Sequence, residues 1–499
     1  MQKFVYWSRI IGRNTFHRRC RIKIGAPQPD LPAGVLQAFG WILPAGGILI
    51  GLILLVVSAM SDALAIHKPV EQQPVAVYVA LMMAAGAIYF AAALICRLMP
   101  ASVTLRAWIV VIALGLRMTM VTGTPILEDD HYRYLWDGAL VAHGLNPYLH
   151  SPGQILRGMS SDDSSPLAEL ARQSGGILER INYPWLRTIY PPLAQAAFGL
   201  AHNLSPWSLW AWRLVLSAFD LAALAMLCRV KVALTGLLIY GWNPLLIKEV
   251  YNSCHLDALM LPLMLAAMAA IRRDRPMTAT ALLGTATGIK IWPMLLMPII
   301  WRRLTGRFRV LIGSLTLFTV CLAAALLPMV LSGLNRTSGL AAYSRYWEMN
   351  DALYTLLAWG VDGMAHLLQL PPAFAALMPR LVAAFVVAGG VGCLAWRRDM
   401  AVEQQFLVAT TLLFMLSPTQ FPWYYLWLLP FLAMHPHPAL ILYTALLPIY
   451  YLRPLMVHYG QGDFFDQVVV WVQHGPVIVW LTRDWVVRPG GQTTFKNVS

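Results

Sequence analysis

"YPPLAQAAFGLAHNL", residues 190–204, is apolar enough to enter a bilayer, yet it is short and opens on a tyrosine and two prolines. A helix rising ~1.5 Å per residue needs about 20 residues to cross ~30 Å of hydrocarbon, and this one falls short. Its reading sets the side of every loop after it. If it crossed, the next basic turn, Arg229 and Lys231, would fall outside, against the tendency of basic residues to stay cytoplasmic. Read as re-entrant or surface-lying, it leaves Arg229/Lys231, Arg272/Arg273/Arg275, Arg302/Arg303/Arg307/Arg309, Arg397/Arg398 and the tail from Arg483 all in the cytoplasm. We adopt that reading.

The composition agrees with a membrane chain. Of 499 residues 58% are hydrophobic and only 12% charged, too few for the surface of a soluble protein of this length. Apolar runs of membrane-spanning length recur, so the expected fold is an all-α polytopic membrane protein of about fourteen transmembrane or partly embedded helices. The net charge of +14 lies in cytoplasmic turns, where anionic lipid headgroups are sufficient partners and no nucleic acid is needed. Six scattered cysteines show neither CxxC nor metal-ligand spacing. The first apolar run lacks a small-residue cleavage site and reads as a retained helix.

The expected organisation runs as follows. A basic cytoplasmic arm, 1–31, carries Lys3, Arg9, Arg13, Arg18, Arg19, Arg21 and Lys23. Two helices occupy 32–104, and a catalytic core, 105–435, includes a large external loop at 123–206. C-terminal helices fill 436–482, and a tail spans 483–499. Two short pieces near 278–290 and 291–301, split at "GIKIWP", suggest an incomplete hairpin with Lys290 at its break. Irregular backbone at that depth needs protein or a wet cavity around it.

This topology gathers polar residues on one face. Glu128, Asp129 and Asp130 leave the membrane together and are followed by a helix-like stretch to Tyr148. Tyr190, His255, Asp257, Lys290, Arg345 and Gln420 arrive at the same face from separate segments. Ionisable groups at a membrane are costly and usually line a site. Plainer roles exist for each. The acids could cap a helix, Lys290 could snorkel, and His255 with Asp257 could open one. Arg345 could pair with Glu348, and the aromatics of 417–427 could form an interfacial belt. Yet a cap needs one acid, not three, and Asp130, Arg133/Tyr134 and Asp137 share a helix face. Beside an apolar surface a carboxylate gains a raised pKa and can serve as a general base.

In order, "LEDDHYRYLWDG" with Asn146-Pro147-Tyr148, "YPPL", "WNPL…HLD", "IKIWP", "RYWEMND" and "SPTQFPWYYLWLLP" resemble the motifs of GT-C glycosyltransferases. The likeness is to bacterial polyprenol-phosphate-mannose-dependent mannosyltransferases and to the first mannosyltransferase of GPI-anchor synthesis. It covers roughly residues 105–435, with the first two and last two spans outside it. Glu128 departs from the family's Asp-x-Asp pattern. The resemblance implies transfer of a hexose, mannose first, from a polyprenyl-phosphate sugar to a hydroxyl of a lipid, glycan or protein acceptor. The site would face the periplasm or exterior of a bacterial inner membrane. It implies inversion, with Asp130 as general base and Asp129 or Glu128 orienting the acceptor. Lys290, His255, Arg345, Tyr190 and Gln420 would meet the donor phosphate, and Arg133, Tyr134, Asp137 and Asp257 would shape the acceptor side. No metal is expected to be required, because a monophosphate leaving group needs one less than a diphosphate does. The alternative on that point is Mg²⁺ or Mn²⁺ held by Glu128 and Asp130. A transporter or lipid flippase is the rival class, and it predicts ionisable groups along the midplane and internal repeats.

Overall fold

The computed structural model describes residues 32–158, 164–230, 232–369, 371 and 377–487. The expected basic arm, Lys231 and the tail beyond 487 lie outside the described residues. The described chain is helical, and its only non-helical pairings are isolated bridges, Ala65 with Ile126 and Met349 with Thr419.

Among the described residues, eight helices are long and apolar enough to cross a membrane: Leu36–Ala59, Val75–Leu98, Val103–Met120, Leu209–Arg229, Phe308–Leu331, Met378–Trp396, Pro438–His458 and Gly462–Val486. A further helix pair, Leu234–Asn252 and Leu256–Arg272, passes only when taken together and forms a broken span or a re-entrant loop, its halves meeting at 111°. The rest of the expected count of about fourteen consists of shorter pieces such as Val402–Leu416 and Pro276–Thr287. Starts are set locally. Ser102 accepts from the Leu105 N–H and Ser208 from the Ala211 N–H, each satisfying a free amide of a first turn.

The helix Pro192–Leu204 is 13 residues long and does not span. Proline in its first turn removes an amide that would have had no partner. It lies against the acid-bearing helix Asp130–Ala142, and the approach is close enough that a Cβ on Gly138 would sit 2.5 Å from the Phe198 carbonyl oxygen. The hairpin expected around Lys290 is present as Pro276–Thr287, a 3₁₀ turn Trp292–Leu296 and Met297–Arg303. The Leu193 N–H donates to Gly288 O at 3.0 Å, which ties the short helix to the break in that hairpin.

The two ends of the bundle differ in chemistry. At one end the basic turns are laced together: Arg106 donates to Val232 O at 2.9 Å, Arg303 to Gln405 at 2.7 Å and Arg398 to Thr305 at 2.6 Å, while Arg272 meets Glu403. At the other end lie the acids, the bend of that helix pair and the hairpin break. Between them one buried pair, Arg117 with Asp220 at 2.7 Å, is fully satisfied. Arg117 also donates to the Ala113 and Gly241 carbonyls, and Tyr240 and Tyr251 donate to Asp220. A buried pair survives only with such additional partners.

Candidate active site

The acids are held by backbone fixed on both sides. The Ile126 N–H donates to Asn252 Oδ1 at 2.9 Å and the Leu127 N–H to Leu64 O at 3.0 Å, which forces Leu127 to φ 55°. The bent helix pair answers it. Its first half ends in a π-helical turn, Lys248–Asn252, and Cys254 takes φ 65° immediately before His255. Two strained non-glycine residues therefore directly precede Glu128 and His255. Strain persists where the surroundings over-determine it, and it clusters at functional sites.

Each acid has a different environment. Glu128 is buried, its Oε1 3.2 Å from the Tyr451 hydroxyl and its Oε2 4.0 Å from His255 Nε2. Burial holds its carboxyl well above the usual range, and the nearby Glu249, Asp130 and Asp129 charges add to this against the opposing Lys248. Asp129 is pushed up to about 7 by burial and the adjacent Asp130 charge. Asp130 opens its helix with a side chain 24% exposed, against 9% for Glu128. Asn182 forks between the two aspartates, its Nδ2 donating to Asp129 Oδ1 at 2.6 Å and Asp130 Oδ1 at 3.2 Å. Tyr134 donates to Asp130 Oδ2 at 3.3 Å, and His255 Nδ1 stands 3.9 Å from the same oxygen.

Arg133 is spent on positioning. Its guanidinium donates to the carbonyls of Leu186, Asn182 and Tyr183 and so fixes the loop that carries Asn182. Asp137 is buried and accepts from Gln195 at 2.9 Å, bonding the acid-bearing helix to Pro192–Leu204. Burial raises its carboxyl, opposed by Arg133.

Lys290 reaches Asp257 at 2.8 Å and lies over the rings of Tyr424 (4.1 Å to the centroid) and Trp427 (5.0 Å). Asp257, fully buried, also accepts from Trp427 Nε1. The tyrosines close the wall: Tyr343 and Tyr424 hydroxyls are 3.0 Å apart, and Tyr190 packs edge-on against Tyr134 at 5.2 Å. His255 is stacked on Trp423 at 4.0 Å.

Of the residues singled out in the sequence, the structure therefore gathers Glu128, Asp129, Asp130, Tyr134, Tyr190, His255, Asp257 and Lys290. Arg345 is exposed on the helix Gly339–Tyr346, with no hydrogen bond or ion pair among the described residues, and Glu348 pairs with Arg380 at 2.7 Å. The Gln420 amide is turned to its own loop, donating to Met415 O and Ser417 O. Four contributors were not singled out. Glu249 and Lys248 lie in the elided middle of "WNPL…HLD", residues 242–257, Tyr451 comes from a C-terminal helix, and Asn182 carries no local signal.

A cleft of about 350 Å³ opens beside Asn182, lined by Tyr183, Trp185, Trp347, Arg336 and Glu348 among others. Comparison with known proteins adds one finding. The family model described as alpha-(1->6)-mannopyranosyltransferase, N-terminal domain (MptA_B family) matches residues 35–305, more than half the chain, and includes the two N-terminal spans left outside the resemblance. No curated protein and no solved structure matches.

Proposed function

The chain belongs to the alpha-(1->6)-mannopyranosyltransferase family and is a membrane glycosyltransferase acting on mannose, and from that premise we propose that it takes mannose from a polyprenyl-phosphate donor at the external face of a bacterial inner membrane. The observation that carries this reading is one asparagine fork holding two carboxylates, with a lysine at the hairpin break close enough to feel the Asp130 charge. Asp130, the more exposed of the acids, removes the proton from an acceptor hydroxyl while that oxygen attacks the anomeric carbon. Lys290, oriented by Asp257 and the aromatic rings, meets the lipid phosphate as it leaves on the opposite side. In-line displacement inverts the anomeric centre, so a β-linked donor gives an α-glycoside. Asp129, bonded to Asn182, holds the acceptor or the base in place.

The basic ends of the helices support an external site, since the acids lie at the far end from them. Nucleotide sugars are cytoplasmic, so an external transferase needs a donor whose lipid carries the sugar across. Of the proposed phosphate contacts, Lys290 is retained as the principal one, with Tyr190 beside it, whereas His255 is buried and faces Asp130 and the two glutamates. The cleft at Tyr183 and Trp185 suits a lipid, glycan or protein acceptor approaching Asp130.

The test is reconstitution into vesicles with labelled polyprenyl-phosphate mannose supplied in the bilayer, and in a parallel sample a nucleoside-diphosphate mannose in solution. Transfer from the lipid donor alone, to an acceptor offered on the external face, is the expected result. Transfer from the nucleotide sugar with none from the lipid would overturn the donor assignment.

A further inference from the structure

Around His255 the polar groups are arranged in a way that proton transfer does not require. Its imidazole is fully buried, and neither ring nitrogen has a hydrogen-bond partner. Such orphans are rare in a folded interior. Nε2 instead faces two carboxylate oxygens, Glu249 Oε2 at 3.4 Å and Glu128 Oε2 at 4.0 Å, the first too poorly aligned for a hydrogen bond. The three atoms lie within 4.8 Å of one another. Bonds of ~2.0–2.2 Å to one ion place donor atoms ~3–4.3 Å apart, so this set closes on a metal with shifts of a few tenths of an ångström.

We propose that Glu128, Glu249 and His255 form a binding site for a first-row divalent cation, Zn²⁺ or Mn²⁺. The rest of the cluster is built as such a site would need. The Tyr451 hydroxyl lies 2.7 Å from Glu249 Oε1 and 3.2 Å from Glu128 Oε1, so its single proton is offered chiefly to Glu249, and both Oε2 atoms face His255. Lys248 in turn bonds that phenol and donates to both Glu249 oxygens at 3.3 Å, Oε2 keeping a second lone pair for an ion. Trp423 stacks on the imidazole with an interplanar angle of 11°, fixing the ring in its plane. Partners of this kind set ligand orientation in metal sites.

Charge and ligand type agree. Glu128 and Glu249 face one lysine, Lys248, in a buried space, and a dication offsets the second carboxylate. An imidazole with two carboxylates suits Zn²⁺ or Mn²⁺ better than Mg²⁺ or Ca²⁺, which favour all-oxygen shells. This ligand set replaces the Glu128–Asp130 pair considered from the sequence, and it departs from the expectation that no metal is required.

The ion has a consequence for the base. With Nε2 on the metal, the ring's proton sits on Nδ1, which points to Asp130 Oδ2 at 3.9 Å. Metal, imidazole and carboxylate then form a line in which His255 is a positioning residue for Asp130. Metal binding stands on this geometry alone, whereas the effect on Asp130 rests on the mechanism above.

The experiment uses the full chain in detergent, purified without chelator, stripped, and titrated with ZnCl₂ or MnCl₂ without substrate. One equivalent is expected to bind and to raise the melting temperature reversibly. Pulsed paramagnetic resonance of bound Mn²⁺ is expected to show coupling to one imidazole nitrogen. His255→Ala and Glu128→Gln, checked for folding by melting, are expected to weaken binding by at least the ~10–100-fold that even supporting residues command, while the exposed Glu169→Gln retains it. Absence of binding at millimolar metal, or binding without the nitrogen coupling, overturns the proposal; the coupling is read on the wild type and survives any variant that fails to fold. Transfer of mannose that proceeds in a metal-free, non-binding protein would remove the metal and leave the donor and base assignments standing.

Discussion

Replacing Asn182 by alanine removes the amide that bonds Asp129 at 2.6 Å and Asp130 at 3.2 Å. A hydrogen bond to a charged group contributes ~1.5–3 kcal/mol net, and here both protons of one amide are used on adjacent carboxylates. Their loss frees the base to rotate and removes a donor that opposes the upward shift of Asp129. If the geometry matters chiefly during proton removal, the penalty appears in the barrier, and ~1.5–3 kcal/mol is a ~10–100-fold fall in kcat. The backbone of residue 182 remains held, because Arg133 grips its carbonyl at 3.2 Å rather than its side chain. The melting temperature in detergent is therefore expected to change little and KM for the lipid donor to stay within a few-fold. Asn182→Asp puts a third carboxylate against the pair and is expected to cost more. Steady-state transfer of labelled mannose, with melting curves on the same preparations, reads all of these. Full activity in a folded Asn182→Ala protein would refute the claim that the fork holds the base.

Three further outcomes are expected. Gly236→Ala places a Cβ 1.9 Å from the Ala433 carbonyl oxygen, a backbone atom that cannot yield, so a loss of ~3 kcal/mol or more should show in melting, while Gly115→Ala, with nothing within 4 Å, should be neutral. Lys290→Met should lower kcat by ~10²–10³, as loss of a charge-stabilising contact does, with Lys290→Arg intermediate; steady-state kinetics with the lipid donor decide it. His437 is pushed from the ordinary imidazole value down to about 4 by burial, although Asp484 lies 3.5 Å away. The unfolded chain thus binds this proton below pH ~6.5 while the folded chain does not, and stability falls by up to ~3 kcal/mol as pH drops from ~6.5 to ~4. His437→Asn should flatten that part of the melting-temperature profile.

The membrane fold was legible because spans announce themselves by length and apolarity. The short helix after Tyr190 could be read because its length fails the span and its prolines suit a first turn. The bend between Leu234–Asn252 and Leu256–Arg272 could not, since the π turn at Lys248–Asn252 and the left-handed Cys254 are set by tertiary contacts such as Trp212 Nε1 on the Cys254 carbonyl at 2.8 Å. The acids and Lys290 were found as charges in an apolar chain. Asn182 and Tyr451 were missed for the opposite reason: an asparagine in a loop and a tyrosine in a membrane helix are unremarkable until the fold turns them inward. Gln420, a polar residue in a quoted motif, has its amide turned to its own loop.

The most direct test of the mechanism is the rate of mannose transfer from polyprenyl-phosphate mannose by Asp130→Asn against the wild type, both reconstituted and of matched folding. A positioned general base contributes ~10²–10⁴-fold, and a loss of that size with donor binding retained is the result expected. Transfer within a few-fold of the wild type would take the base away from Asp130.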